Sequence, residues 1–375
     1  MTKIMQRVTA ILFCLFIGGF GVMHLILPDR EFSPMENRNL SQLPEFSWQS
    51  LKEGTYTADL EEYLADQFPL RDSWIGLKTR YEYLLGHREF KDVFLCGDTL
   101  ISKITDTSRA QQNLGYVESL LGKTDLPVYL GLIPTAAEIW QEKLPEGAER
   151  FDQLAYLEQA KELGAITVDM YAALNAHKDE DIYYRTDHHW TSLGAYYGYT
   201  AFMQAAGHEI PELGEGKTVT TEFNGTLYNN SGIHWLKPDS IEYYVFDDAI
   251  TVDKMTFTAA GTTEVLETTG LYIESKLETA DKYASFIGGG NHGLYIVRNP
   301  NAPVQKKLLI IRDSYSDSLA PFLSQTYSEI HLLDLRGLGT FSVRAYIEMA
   351  EIDEIFVCYS VDNFLKDRYA VSIGR

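Results

Sequence analysis

A layered α/β fold with a mainly parallel sheet is what this sequence predicts, and three observations carry the prediction. Short, continuously apolar runs read as strands buried on both faces: LPVYLGLIP (126–134), AITVDM (165–170), KLLIIRDS (307–314), EIHLLDL (329–335) and DEIFVCYS (353–360). Stretches with helical periodicity alternate with them near 108–122, 152–163, 191–206, 316–325 and 340–351, at the length a crossover needs. With 375 residues and a 45% hydrophobic composition, the chain can bury a large core.

The N-terminus comes first in chain order. Lys3 and Arg7 precede VTAILFCLFIGGFGVMHLIL, a run from Val8 to Leu27 without a formally charged residue. As a helix it is about 30 Å long, enough to cross a bilayer. No small-x-small cleavage site ends it, so a retained signal anchor over residues 1–28 is expected. Basic residues before the run, and none after it until Arg30, place the N-terminus in the cytoplasm and the rest outside. The expected localisation is a single-pass cell-membrane protein with its main domain extracytoplasmic.

Residues 29–55 are polar and turn-rich and read as a linker. From Tyr56 to Gly86, Leu60, Tyr63, Leu64, Phe68, Trp74, Leu77, Tyr81, Leu84 and Leu85 recur at three- and four-residue steps, a helical pattern interrupted by Pro69. The domain expected over 56–375 carries one departure from its own rhythm. From about 218 to 297 the chain is rich in Thr, Tyr and Gly, the mark of a β-rich insertion between two parallel-sheet units. There is no internal repeat.

Composition narrows the partners. The formal net charge of −21 is spread along the chain and weighs against nucleic acid or an anionic membrane surface, both of which need neutralising Lys and Arg. For a polymer ligand it favours a neutral or partly cationic one. Cys14 lies in the apolar run, which leaves Cys96 and Cys358 as a disulfide or, the preferred reading, two thiols; their spacing resembles no zinc site.

Two constellations can carry chemistry. In RTDHHWTSLGA (185–195), alternation along an extended or turning segment puts Asp187 and His189 on one side and His188 on the other. A carboxylate on one imidazole nitrogen fixes the tautomer and leaves the other nitrogen as a base. Thr191 is then a natural N-cap for the helix that follows. The same residues also suit a metal site, or a His pair that caps a helix with Trp190 in the core. In KLLIIRDSYSDSLAPFL, Ser314 stands between the end of a buried strand and the start of a helix, where ligand sites of open α/β sheets form and free N–H groups stabilise an oxyanion. Ser314 read by itself is also a plain N-cap. Taken together, Asp187, His189 and Ser314 offer the acid, base and nucleophile of a triad.

RTDHHWTSLGA resembles the signature of the DHHW family and is similar to the motif of alginate O-acetyltransferase-like proteins, which have a circularly permuted SGNH hydrolase fold. Glu36-Asn37-Arg38, Asp66 to Trp74, Ile133 to Ile139 and Ile311 to Leu323 also look like that family. The resemblance implies a three-layer α/β/α domain and casts Ser314 as nucleophile, His189 as base and Asp187 as acid. It implies an O-acetyltransferase or acetylesterase acting on a cell-surface or secreted polysaccharide, with a multi-pass membrane acyltransferase as a partner that supplies acetyl groups, and no metal or diffusible cofactor. Asp313 departs from the relatives' pattern, and a carboxylate beside the nucleophile repels a developing oxyanion. SGNH enzymes add a Gly N–H and an Asn side chain to the oxyanion site; Asn291 and Asn363 are candidates because both follow apparent strands. Arg185 and Tyr315 flank the motifs and are candidates for lining an acceptor groove or for surface pairs. Two other classes stay open: a non-catalytic glycan-binding or assembly subunit, and a metal-dependent hydrolase.

Overall fold

The computed structural model describes residues 3–33, 35–36, 38–257, 263–290, 292–336, 338 and 341–375. The chain forms two compact units, one of Met1–His87 with Gly232–His234, the other of Arg88–Ser231 with Trp235–Arg375. The helices between 55 and 84, which the sequence reading joins to the α/β domain, therefore belong with the N-terminal unit.

That first unit holds helices α1 (Lys3–Ile26), α2 (Trp48–Glu53), α3 (Thr55–Asp66) and α4 (Arg71–Leu84). Helix α1 is long and apolar enough to cross a membrane and buries none of its residues. The separate motifs around Glu36 and Asp66 meet here. Arg38 grips both Asp66 oxygens at 2.8 and 2.6 Å, and Arg71 reaches Glu36 at 2.6 Å. The Arg38 contact, outweighing burial, holds the Asp66 carboxyl down to about 2.

The second unit is built on an eight-stranded sheet. In chain order it contains α5 (Ala110–Leu121), β1 (Val128–Ile133), α6 (Gln153–Lys161), β2 (Ile166–Thr167), α7 (Met170–Ala176), α8 (Ser192–Ala206), β3 (Thr251–Phe257), β4 (Thr263–Thr269), β5 (Gly293–Arg298), β6 (Val304–Arg312), α9 (Ser316–Ser324), β7 (Tyr327–Asp334), α10 (Val343–Ala350), β8 (Glu354–Ser360) and α11 (Val361–Lys366). The strand order is β4-β3-β5-β7-β6-β8-β1-β2. Strands β7, β6, β8, β1 and β2 run parallel, while β5, β3 and β4 extend the β7 edge antiparallel.

Strand side chains alternate, so each strand feeds two cores. Leu308 and Ile310 of β6 face the layer of α8 and α9, with Phe202, Leu319 and Phe322. Leu309 and Ile311 face the opposite layer of α5, α6, α10 and α11, with Val117, Leu157, Val343 and Phe364. The result is a three-layer α/β/α unit.

Two differences from expectation have local causes. The strand expected over 165–170 pairs only at Ile166 and Thr167, because the Asp169 side chain accepts from the Ala172 N–H at 3.0 Å and starts α7. The Thr- and Tyr-rich insertion contributes β3, β4 and β5 to the main sheet, and only Lys217–Phe223 and Asp239–Tyr243 pair as a separate ribbon. A three-stranded antiparallel sheet over Glu89–Phe90, Val93–Cys96 and Thr99–Ser102 adds to the elements that the sequence predicts. Cys96 and Cys358 are free, buried thiols; burial pushes the Cys96 thiol up to about 11.

The site is positioned by chain order around β6. From β6 the chain crosses through α9 to β7 on one side, then returns through α10 to β8 on the other. Ser314 follows the carboxyl end of β6, where these connections diverge, and such switch points open a crevice in doubly wound sheets.

Candidate active site

The segment before α8 folds back on itself. Tyr183 pairs with Trp190 in an antiparallel bridge, and the Thr191 N–H donates to the Ile182 carbonyl at 3.0 Å. Thr191 then caps α8, accepting from the Gly194 N–H at 3.2 Å. The backbone turns within the motif, and Asp187 and His189 face each other as expected. Trp190, fully buried, donates its indole N–H to the Tyr315 carbonyl at 3.0 Å and to Ser318 Oγ at 2.9 Å. One side chain thus ties the DHHW loop to the turn that carries Ser314.

His189 Nδ1 lies 2.6 Å from Asp187 Oδ1, and its Nε2 lies 2.8 Å from Ser314 Oγ. The Asp187 carboxylate is fully engaged. Oδ1 also accepts from the His189 backbone N–H at 2.9 Å, and Oδ2 accepts from the Thr226 N–H at 2.7 Å and its hydroxyl at 3.0 Å. Burial by itself would raise this carboxyl, but the charges of His188 and His189 and the hydrogen bonds from His189 and Thr226 outweigh it and hold it well below the usual carboxylate range. Asp187 therefore stays ionised, which orients His189 with its proton on Nδ1 and its lone pair on Nε2 towards the serine.

Gly225 makes the Asp187 contacts sterically possible. A Cβ at this position would lie 2.2 Å from Asp187 Cβ, so only glycine lets the 224–226 loop come this close. His188 does not turn away from the cluster. Its Nδ1 is 2.6 Å from Thr226 Oγ1, and burial, with the neighbouring His189 charge, brings it down to about 4.

Around the serine, the turn is held at several points. Asp317 N–H closes onto the Ser314 carbonyl at 3.1 Å and begins α9. The Ser314 N–H has no acceptor among the described residues, which leaves it available at the helix start. Arg312, buried at the end of β6, donates to Asp317 at 2.6 Å and staples strand to helix. Tyr283 donates to the Ser314 carbonyl at 3.1 Å, and its ring stacks on His189 with centroids 3.9 Å apart.

The Asp313 carboxylate sits beside Ser314 but is occupied. It accepts from the Tyr315 N–H (3.1 Å), the Ser360 N–H (2.9 Å), the Ser360 hydroxyl (2.7 Å) and Asn363 Nδ2 (2.8 Å). Its charge is thus spread over four donors and ties the ends of β6 and β8 together. Asn363 is accordingly found on Asp313, while Asn291 lies outside the described residues. Tyr315 is buried and its hydroxyl donates to the His188 carbonyl, so it does not line an open groove. Arg185 pairs with Asp239 at 3.1 Å and Asp98 at 3.4 Å, and it lines a cavity of about 640 Å³ with Glu180, Asp181 and Glu242. A second cavity, of about 240 Å³, lies at the strand ends between Asp313, Arg336, Tyr359, Asn363 and Arg368.

Ligand atoms of Asp187, His188 and His189 all lie within 4.8 Å of one another, the sole such grouping among the described residues. A metal held by all three would compete for the Asp187 oxygens that now bind His189 and Thr226. The arrangement as it stands is that of an acid, a base and a hydroxyl in line, suited to acyl transfer.

Sequence comparison places the chain in a group. The profile of the DHHW protein family matches residues 36–126 and 122–333. The chain belongs to the DHHW family. No functionally curated protein matches it significantly. Among solved structures, a DHHW family protein from Eubacterium siraeum is similar at 24% identity with a TM-score of 0.61, covering 76% of this chain and 97% of that one. Bacillus cereus PatB1, solved with a sulfonyl adduct, is similar at 19% identity with a TM-score of 0.57, covering 74% and 97%. The O-acetyltransferase domain of Pseudomonas putida AlgJ is a more distant likeness at 15% identity and a TM-score of 0.44, covering 75% and 98%. The likeness to the first two shows a shared α/β fold.

Thr226, Gly225, Tyr283 and the Arg312–Asp317 pair escaped the sequence reading. Gly225 and Thr226 sit in NGT and Tyr283 in a Tyr-rich insertion, where nothing local marks them as neighbours of residue 187 or 314.

Proposed function

We propose that this DHHW protein is a membrane-anchored serine acyl-transfer enzyme, an O-acetyltransferase or acetylesterase acting on a cell-surface or secreted polysaccharide. The observation that carries the reading is the line Asp187–His189–Ser314, with contacts of 2.6 and 2.8 Å at the two imidazole nitrogens. In the proposed cycle Ser314 Oγ attacks the carbonyl carbon of an acetyl ester as His189 Nε2 takes its proton. The tetrahedral oxyanion is met by the Ser314 N–H at the start of α9. Collapse releases the alcohol, which leaves with the proton from His189, and acetyl-Ser314 remains. A sugar hydroxyl or water then gives its proton to His189 Nε2, attacks the acetyl carbon and restores the serine.

Helix α1 is read as the single-pass anchor, with Lys3 and Arg7 cytoplasmic and the catalytic unit outside. A multi-pass membrane acyltransferase is the proposed source of acetyl groups. The family resemblance and the fold likeness support the acetyl chemistry, and the triad geometry supports catalysis over a purely glycan-binding or assembly role.

A fluorophosphonate probe tests this directly. Purified protein should be labelled on the peptide bearing Ser314 and should turn over an acetyl ester, and Ser314→Ala should lose both. Turnover that survives in Ser314→Ala without label at that peptide overturns the triad. Loss of turnover to chelators, with stoichiometric metal in the protein, points to a metal hydrolase instead.

A further inference from the structure

Helix α4 is amphipathic in the inverted sense. Trp74, Leu77, Tyr81 and Leu84, with Leu85 at the C-cap, fall at three- and four-residue steps and so share an arc of about 100° on the helix. Every one of them is exposed, Leu77 at 57%, Tyr81 at 61% and Leu84 at 81%. The opposite side carries Thr79, which is buried. An apolar stripe this continuous on an outer face marks a surface that something covers.

Contacts within the same unit identify what. The Phe68 ring stacks on Phe20 of α1, centroids 5.3 Å apart and planes 3° apart, and Trp74 packs on Phe16 at 6.2 Å and Phe20 at 5.7 Å. One step back along the chain, Tyr63 meets His24. Read from 63 to 74, the α3–α4 segment therefore advances along α1 towards its N-terminus. Phe20 lies about 10 Å along the axis before Leu27, the end of the apolar run. Rings seated on Phe20 reach into the layer that surrounds α1.

We infer that the apolar stripe of α4 rests in the outer-leaflet boundary of the bilayer that α1 crosses. The occupant of the stripe is lipid, and the helix is a monotopic foot that adds buried apolar area to the single anchor. Trp74 and Tyr81 suit that boundary, where aromatic rings with a polar edge concentrate. The inference rests on the reading of α1 as a membrane-crossing helix.

Spin-label accessibility on the full chain, reconstituted in phosphatidylcholine–phosphatidylglycerol vesicles, separates the two ideas. Native Cys14 in α1 reports the anchor; Leu77→Cys and Leu84→Cys, each in a Cys14→Ser background, report the foot. Glu158→Cys in the same background is the aqueous reference, with Cys96 and Cys358 buried. Labels at 77 and 84 are expected to gain oxygen contact and lose most nickel-chelate contact relative to 158. Nickel-chelate access at 77 and 84 equal to that at 158 overturns the inference. So does shielding from both reagents, which means that a second copy covers the stripe. A Cys14 label outside the hydrocarbon instead overturns the anchor reading itself.

Discussion

The Tyr283 ring lies flat on the His189 imidazole, with 3.9 Å between centroids and 10° between planes. Its hydroxyl is pinned to the Ser314 carbonyl and Ser318 Oγ, each at 3.1 Å. The ring therefore holds the His189 imidazole from the face while Asp187 holds it from the edge. In the proposed cycle, when His189 takes the serine proton, a cation rests on a desolvated π-face, a contact worth ~0.5–2 kcal/mol. Tyr283→Leu should lower kcat by about tenfold with little change in KM, because that gain arises only as charge develops. Tyr283→Phe keeps the stack and should stay within about threefold of wild type by the same reasoning. Equal losses in the two variants would assign the effect to the hydroxyl.

Asp187 acts through four hydrogen bonds, two to His189 and two to Thr226. Asp187→Asn keeps its size but removes the charge that favours the reactive tautomer, and kcat should fall roughly 10³-fold or more. Thr226→Val removes one hydroxyl and keeps the backbone N–H, so a loss of about tenfold is expected. Steady-state acetyl-ester kinetics together with a thermal melt check both. A melt unchanged in Asp187→Asn shows that the loss is chemical.

The parts of this fold that could be read in advance are those set by local pattern. Runs such as LLII at 308–311 are apolar throughout because both faces of β6 are covered, and the crossovers betray themselves by period. Whether β3, β4 and β5 join the main sheet or stand apart depends on which edge they meet, and no local residue specifies that. At the site, Asp187 and His189 are two residues apart and Ser314 marks a strand-to-helix change, so chemistry and position coincide. Gly225 and Tyr283 matter through distance in space alone, as a loop and a ring that happen to close over residues 38 and 94 positions away in sequence. Arg185 shows the limit from the other side, since a flanking cation looks like a ligand group until Asp239 and Asp98 claim it.

His188 makes stability depend on pH. Its native value is about 4, below the ordinary imidazole value near 6.5 because burial and His189 disfavour its charge. Between those two values the unfolded chain binds the proton and the native one does not, so stability falls as pH drops through that window and levels off below it. The Asp187 contribution has the same sign in a lower window: its native value is also depressed, so the stability it adds is present above about pH 4 and is lost only as pH falls further. Denaturant midpoints at pH 7 and pH 4.5 should therefore differ more in wild type than in His188→Gln. A pH loss that is identical in the two would place the titration elsewhere.

Gly225→Ala tests whether the loop over Asp187 is a steric device. The added methyl would meet Asp187 Cβ at 2.2 Å and Oδ2 at 2.5 Å, so either the loop or the carboxylate has to move. A displaced loop pulls the Thr226 N–H and hydroxyl off Oδ2, and overpacking of this kind costs ~1–3 kcal/mol. The variant should melt several degrees lower and lose activity through kcat. The two effects are separable, because a methyl that acts by disturbing Asp187 has nothing left to disturb once the carboxylate is gone. Gly225→Ala combined with Asp187→Asn should be no slower than Asp187→Asn by itself, whereas independent effects would multiply. Multiplication would mean that Gly225 serves the site by some route other than Asp187.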